Sequence, residues 1–167
     1  NEVADSLDIV INEILFNPPS NGFDYVEIYN RSNKIINLQQ TYIANRSTTG
    51  VISSITQLSA EPYQLFPQEF MVITENADWI KNTFITKNPT AFALVGSMPS
   101  FSDDEGNVLI LNAQGKITDQ VNYKDDWHFK LLDNKEGVAL ERIDYSAASQ
   151  QESNWHSAAT SVNYGTP

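Results

Sequence analysis

The densest group of hard oxygen ligands in the chain is the run Asp103-Asp104-Glu105-Gly106-Asn107. Carboxylate and amide oxygens gathered on one turn are what Ca²⁺ prefers. The spacing Asp103-x-Glu105-x-Asn107 begins as an EF-hand loop does. It then departs: Val108 stands where that loop requires glycine, and Gln114 where a bidentate glutamate closes the shell. Asp103, Asp104, Glu105 and Asn107 are thus the calcium candidates, and calcium is the candidate cofactor. The favoured reading is a solvated turn ahead of a hairpin, with no cofactor bound.

Asn12 and Glu13 raise a different question, because they interrupt an apolar run, Ile9 to Phe16. A carboxylate in such a run must be solvated, paired or bonded to backbone amides. The favoured reading is a structural latch in which Asn12 and Glu13 bond the amides of a neighbouring loop, such as the turn from Pro18 to Asp24. The alternative is a cation site shared with Asp24 and Glu27.

Nothing in the chain marks a nucleophile. There is no G-x-S-x-G elbow, no glycine-rich phosphate loop and no cysteine, so disulfides, thiolate catalysis and Cys-ligated zinc are excluded. The two histidines, His128 and His156, each follow a tryptophan; without ligand spacing they read as surface or loop residues beside a packed ring. Among 21 acids no pair stands out for glycoside hydrolysis. Trp127, beside Asp125 and Asp126, is the aromatic best placed to be exposed and to touch a carbohydrate or peptide. Trp155 is expected to be packed.

These residues sit in a chain of 167 residues, 41% apolar and 11% aromatic, which suits a folded domain rather than a disordered segment. No apolar run approaches the ~20 residues of a membrane helix, so membrane insertion is not expected. A net charge of −11 disfavours binding to nucleic acid or anionic lipid. The start at Asn1 and the stop at Pro167 suggest a segment of a longer polypeptide.

Residues 1–7 read as a flexible lead-in and 8–167 as one domain. Strands are expected at Asp8 to Phe16, Asp24 to Asn30, Phe70 to Thr74, Ala91 to Val95, Asn107 to Asn112, Ile117 to Tyr123 and Gly137 to Ile143, with short extended pieces between Ile35 and Ile43. One short helix is expected across Thr74 to Phe84, capped by Asn76, in a connection between strands. About eight short strands with close turns predict an all-β sandwich or barrel.

Three stretches resemble the lamin tail domain as it occurs in bacteria. The first is Ile11-Asn12-Glu13-Ile14 followed by Tyr25-Val26-Glu27-Ile28-Tyr29-Asn30. The second is Phe101-Ser102-Asp103 to Leu111, Gln114-Gly115-Lys116 and Asp119 to Tyr123. The third is Ala139 to Ile143, Asn154-Trp155 and Gly165-Thr166-Pro167. The resemblance implies an immunoglobulin-like β-sandwich with one short connecting helix and no catalytic residues to transfer. It implies a non-catalytic binding or spacer module of a larger secreted or cell-surface protein, with a protein or glycan as partner beside its neighbouring domains, in an extracytoplasmic setting. Animal relatives bind proteins and, in some cases, DNA; the charge here argues against nucleic acid. Residues 45 to 100 depart from a typical copy. The alternative function is a degenerate or metal-assisted hydrolase domain, which a convergent polar pocket with perturbed titrating groups would favour.

Overall fold

A computed structural model describes residues 2–167. In chain order its elements are β1 (Ile9–Leu15), β2 (Tyr25–Asn30), β3 (Ile36–Asn37), β4 (Thr41–Arg46), β5 (Ile52–Gln57), β6 (Gln64–Leu65), β7 (Phe70–Thr74), α1 (Ala77–Thr83), β8 (Phe92–Leu94), β9 (Glu105–Asn112), β10 (Ile117–Lys124), β11 (Leu140–Arg142) and β12 (Trp155–Ser157). They form an immunoglobulin-like β-sandwich. One sheet has the order β12-β11-β1-β2-β7-β8, the other β10-β9-β4-β5, and β3 with β6 makes a small separate ribbon.

Apolar residues from the inner faces of both sheets meet in the main core: Ile14, Val26, Ile28, Met71 and Leu140 from one side, Ile43, Val108, Ile110 and Val121 from the other. Alternation along a strand would put Ile9 and Ile11 on one face and Ile14 and Phe16 on the opposite one. All four nonetheless enter the same core. The reason is a β-bulge. The pairing of β1 with β2 slips between Ile11 and Glu13, so that Asn12 is the extra residue. The bulge also turns Glu13 and Leu15 to the outer face, away from the core between the sheets.

That outer face is covered in part by α1. The pairing of β7 with β8 is parallel, and parallel neighbours need a crossover, which residues 75–91 supply. Asn76 caps the helix by accepting from the Trp79 amide at 2.9 Å. Ile80 and the following Phe84 pack with Leu15, Tyr25, Val72, Ala139 and Ala158 in a second core.

Residues 2–7 of the expected lead-in make specific contacts with the sandwich. Ala4 is buried in the main core, its carbonyl accepts from Asn112 Nδ2 at 2.8 Å, Glu2 bridges to Ile36, and Lys34 pairs with Asp5. A short polar start can be fixed in this way by backbone bonds, one small buried side chain and an ion pair, none of which leaves an apolar pattern. Strands β5 and β12 were not expected. β5 (Ile-Ser-Ser-Ile-Thr-Gln) is a sheet edge with mostly exposed or half-buried residues, so it lacks an apolar signal.

Candidate functional site

Across the middle of the six-stranded sheet, register places three glutamates in one row. Glu13 on β1 pairs with Glu27 on β2 and with Glu141 on β11, and Glu141 pairs in turn with His156 on β12. Glu13 is fully buried and Glu27 is 6% exposed. Like charges directly opposite are unfavourable, so the row requires compensation.

The compensation is local. The hydroxyl of Tyr25, two residues before Glu27 and therefore on the same face, donates to Glu13 Oε1. The segment 158–167 then crosses this face as a strap. Its Thr166 amide donates to Glu13 Oε1 at 3.0 Å, and the Thr166 hydroxyl donates to Glu141 Oε1 at 2.9 Å. That same hydroxyl lies 3.4 Å from Glu13 Oε2. A hydroxyl carries one proton, so the second contact is satisfied when Glu13 is itself protonated. Burial first, then the charges of Glu27 and Glu141, push Glu13 up to about 8, against the opposing bonds from Tyr25 and Thr166. Burial likewise raises Glu27 to about 7, although the Asn12 bond and the Lys87 charge pull it down. Asn12 Nδ2 donates to Glu27 Oε1 at 2.6 Å, which leaves Asn12 Oδ1 buried without a partner.

Glu13 thus accepts a backbone amide, but from the strap. The expected latch to the turn from Pro18 to Asp24 is not what the structure builds. The cation alternative fails as drawn, because Asp24 does not join Glu13 and Glu27. It lies with Glu75 and Asp103 in a separate cleft, where burial and those two charges raise it to about 7.

Gly165 makes the strap possible. A Cβ there would sit 2.6 Å from the Tyr25 hydroxyl and 2.8 Å from Phe84 Cδ1. Gly165→Ala is expected to lift the strap from Glu13 and to cost about 1–3 kcal/mol, as overpacking does. Urea unfolding of the variant checks this, and a wild-type midpoint would contradict it.

Beside the row, a cleft of about 380 Å³ opens over β2 and β7. Glu27 and Asn12 lie at one side, Phe70 and Tyr145 at another, and Lys87 and Thr166 complete its wall. Phe70, Tyr29 and Tyr145 pack on one another, with ring centroids of Tyr29 4.6 Å from Phe70 and 4.4 Å from Tyr145.

The other sequence candidates are dispersed. Glu105 begins β9 and faces Lys124 on β10, 3.7 Å away. Asn107 Oδ1 accepts the Arg46 amide, and Asp103 lies toward Asp24. Asp104 is exposed, and its carbonyl accepts the Asp125 amide at 2.6 Å. Among the described residues no three His, Asp or Glu side chains are grouped to hold a metal ion. Glu105 to Asn107 are drawn into pairing with β10, while Asp103 and Asp104 stay in the bend before β9. Millimolar calcium and EDTA are each expected to leave the melting temperature unchanged; a rise with calcium would restore the loop as a site.

Trp127 is half-buried. It stacks on the buried Trp155 at 6.4 Å and 29°, so most of its ring faces protein. His156 is exposed, as expected, but His128 is not a surface residue: it is 2% exposed. It packs on Phe16 and its Nδ1 lies 2.9 Å from Ser157 Oγ. Burial pushes it down to about 4, so it is neutral at pH 7. No local pattern signals this, because its burial depends on the distant β12.

The glutamate row and its cleft were visible only in part. The interruption at Asn12-Glu13 was the signal that existed; Glu141, Tyr25 and Thr166 join through register and through a strap with no periodicity. A family model described as Lamin Tail Domain matches residues 2–125. That span holds Glu13 and Glu27 but ends before Glu141 and the strap. No curated protein matches the chain.

Proposed function

We propose, from the premise that the chain belongs to the lamin tail domain family, that it is a non-catalytic accessory binding or spacer module of a larger secreted or cell-surface protein. The family is a non-enzymatic, immunoglobulin-like one. The module's ligand is a protein or a glycan, and its setting is extracytoplasmic. Nucleic acid is not among its partners, since ten basic residues stand against 21 acids. No helix among the described residues is long and apolar enough to cross a bilayer.

The observation that carries the reading is that the protein's own groups occupy most of its perturbed acids. Glu13 is capped by Tyr25 and Thr166 and does not line the cleft. Within the cleft Glu27 is the one buried carboxyl; the other lining acid, Glu69, is exposed and accepts the Phe66 amide.

The hydrolase reading draws support from Glu27, an acid with a raised pKa in a cleft. Two-carboxylate hydrolysis needs a second, positioned acid across the scissile bond. Glu69 is not held by packing, and Glu141 is on the far side of Glu13.

The test is deletion of residues 2–167 from the full-length parent protein. The expected result is loss of attachment to its surface or matrix, with the activity of neighbouring domains on soluble substrates intact. Hydrolysis of chromogenic glycosides or phosphoesters by the purified chain, abolished in Glu27→Gln, would overturn the reading.

A further inference from the structure

The outer-face cleft has a composition of its own. The chain carries −11, yet the charged residues lining the cleft are Glu27, Glu69 and Lys87. A pocket for a basic partner would concentrate the surplus acid, and a pocket for an anion would concentrate lysine or arginine. This cleft does neither. It combines amides (Asn12, Gln68, Asn88) with the rings of Tyr63, Phe70 and Tyr145. Mixed donors and acceptors around aromatic surface match a ligand with hydroxyl edges and apolar C–H faces.

Each part is positioned by the sheet. Tyr29 faces Phe70 and Glu27 faces Val72 in the register of β2 with β7, so the aromatic and carboxyl ends of the floor are one residue pair apart. Tyr145 packs on Tyr29 and extends the aromatic wall, and Tyr63 stands 43% exposed at the rim. At the other end Glu27 is held by Asn12 through Oε1, and its Oε2 has no hydrogen-bond partner among the described residues. Glu27 is more than nine-tenths buried and lines the cleft, so this oxygen is a fixed acceptor open to a donor in the cleft. The volume of about 380 Å³ lies within the range of small-ligand sites, roughly 300–1,000 Å³.

We propose that the cleft over β2 and β7 binds a neutral glycan, with an apolar sugar face on the Phe70, Tyr145 and Tyr63 wall and a ring hydroxyl donating to Glu27. Lys87 and the amides of Gln68 and Asn88 serve flanking hydroxyls from the rim. This rests on the binding-module reading and names the ligand class of its site.

The experiment uses the 167-residue chain and amide NMR. The probes are β-1,4-glucan, β-1,3-glucan, α-mannan and chitin oligosaccharides, with a lysine-rich peptide and CaCl₂ as separate arms. The expected result is saturable shifts centred on Glu27, Phe70 and Val72 with at least one oligosaccharide. Glu27→Gln and Tyr63→Ala should each weaken that binding at least tenfold while circular dichroism and the melting temperature stay near wild type. Tyr63 is exposed, so its variant remains informative if Glu27→Gln fails to fold. No shift with any oligosaccharide, shifts centred elsewhere, or full affinity in Tyr63→Ala would overturn the proposal. Shifts at the cleft with the peptide or with calcium, and none with sugars, would overturn it while leaving a binding module. Loss of the glycan result together with retained attachment after deletion of the module would overturn both readings.

Discussion

Asp119→Ala is expected to destabilise the protein by about 3–5 kcal/mol, the range for removing one partner of a buried ion pair. Asp119 and Arg142 have side chains 2% and 0% exposed, with Arg142 Nη2 3.1 Å from Asp119 Oδ2. The pair exists because of the bulge in β1. Ile11 stands just before the extra residue Asn12, and its backbone groups are met by side chains: its amide donates to Asp119 Oδ2 at 2.8 Å, and its carbonyl accepts from Arg142 Nε at 2.6 Å. Arg142 also donates to Ser149 Oγ at 2.6 Å and lies over Trp155. Asp119 comes from β10 in one sheet and Arg142 from β11 in the other, so the pair ties the two sheets at the bulge. Asp119→Ala leaves a buried guanidinium and a buried amide without their acceptor. The double change Asp119→Leu with Arg142→Leu removes both charges and is expected to cost less than Asp119→Ala alone. Urea midpoints of the three proteins test this. A single variant within 1 kcal/mol of wild type, on a scale where such losses run to about 3–5 kcal/mol, would show that the pair is dispensable.

The second large effect is a dependence of stability on pH that runs against the usual acid sensitivity of an acidic protein. Glu13 is raised from its ordinary 4.5 to about 8, by burial first and then by Glu27 and Glu141. Between these values the folded chain holds a proton that the unfolded chain has released. Stability is therefore highest below about 4.5 for this group and falls as pH rises toward 8. Glu27 and Asp24, each raised to about 7, act in the same direction. His128 acts oppositely: lowered from 6.5 to about 4, it opposes protonation in the fold, and stability is lost as pH falls through that window. Above pH 6.5 only the carboxyls remain. Acidification from pH 8.5 to 6.5 is thus expected to raise stability by about 3–4 kcal/mol, at ~1.4 kcal/mol per proton per pH unit. Glu13→Gln resembles the protonated acid. It should flatten most of the slope and match or exceed the wild type at pH 8. Glu13→Ala leaves the Tyr25 hydroxyl and the Thr166 amide without an acceptor, at about 1–3 kcal/mol for each buried group. A wild-type midpoint that rises steadily from pH 6.5 to 8.5 would contradict this.

What could be read in the sequence follows the strength of local patterning. β1, β2, β7, β9 and β10 are apolar with clear turns, and each falls within a residue or two of its expected place; α1 carries its Asn76 cap and lies inside the expected Thr74 to Phe84 span, starting three residues later. The family resemblance pointed to the sandwich, and the match over residues 2–125 agrees. Polar edge strands left no pattern, so β5 escaped notice. The bulge was present only as apolar residues on both faces of one strand, a pattern that burial on both faces of a central strand also accounts for. One inserted residue, Asn12, reverses that parity, and only the partner strand reveals it. The acids of the Asp103 to Asn107 loop were conspicuous because they are adjacent. The acids that meet, Glu13, Glu27 and Glu141, are far apart in sequence and are joined by register. Thr166, which completes them, belongs to a strap whose order comes from packing against Tyr25 and Phe84 through Gly165.

The expected arrangement is one in which a proton on Glu13 and the Thr166 strap hold the three glutamates together. Its most direct test is a titration of the Glu13 side-chain carboxyl by ¹³C NMR between pH 4 and 10, in the presence of EDTA. Glu13 is expected to stay protonated at pH 7 in the folded chain and to titrate near 8, with the Thr166 amide resonance moving in step. A Glu13 carboxyl already ionised at pH 6, or a fold that loosens when EDTA is added at pH 7, would contradict it.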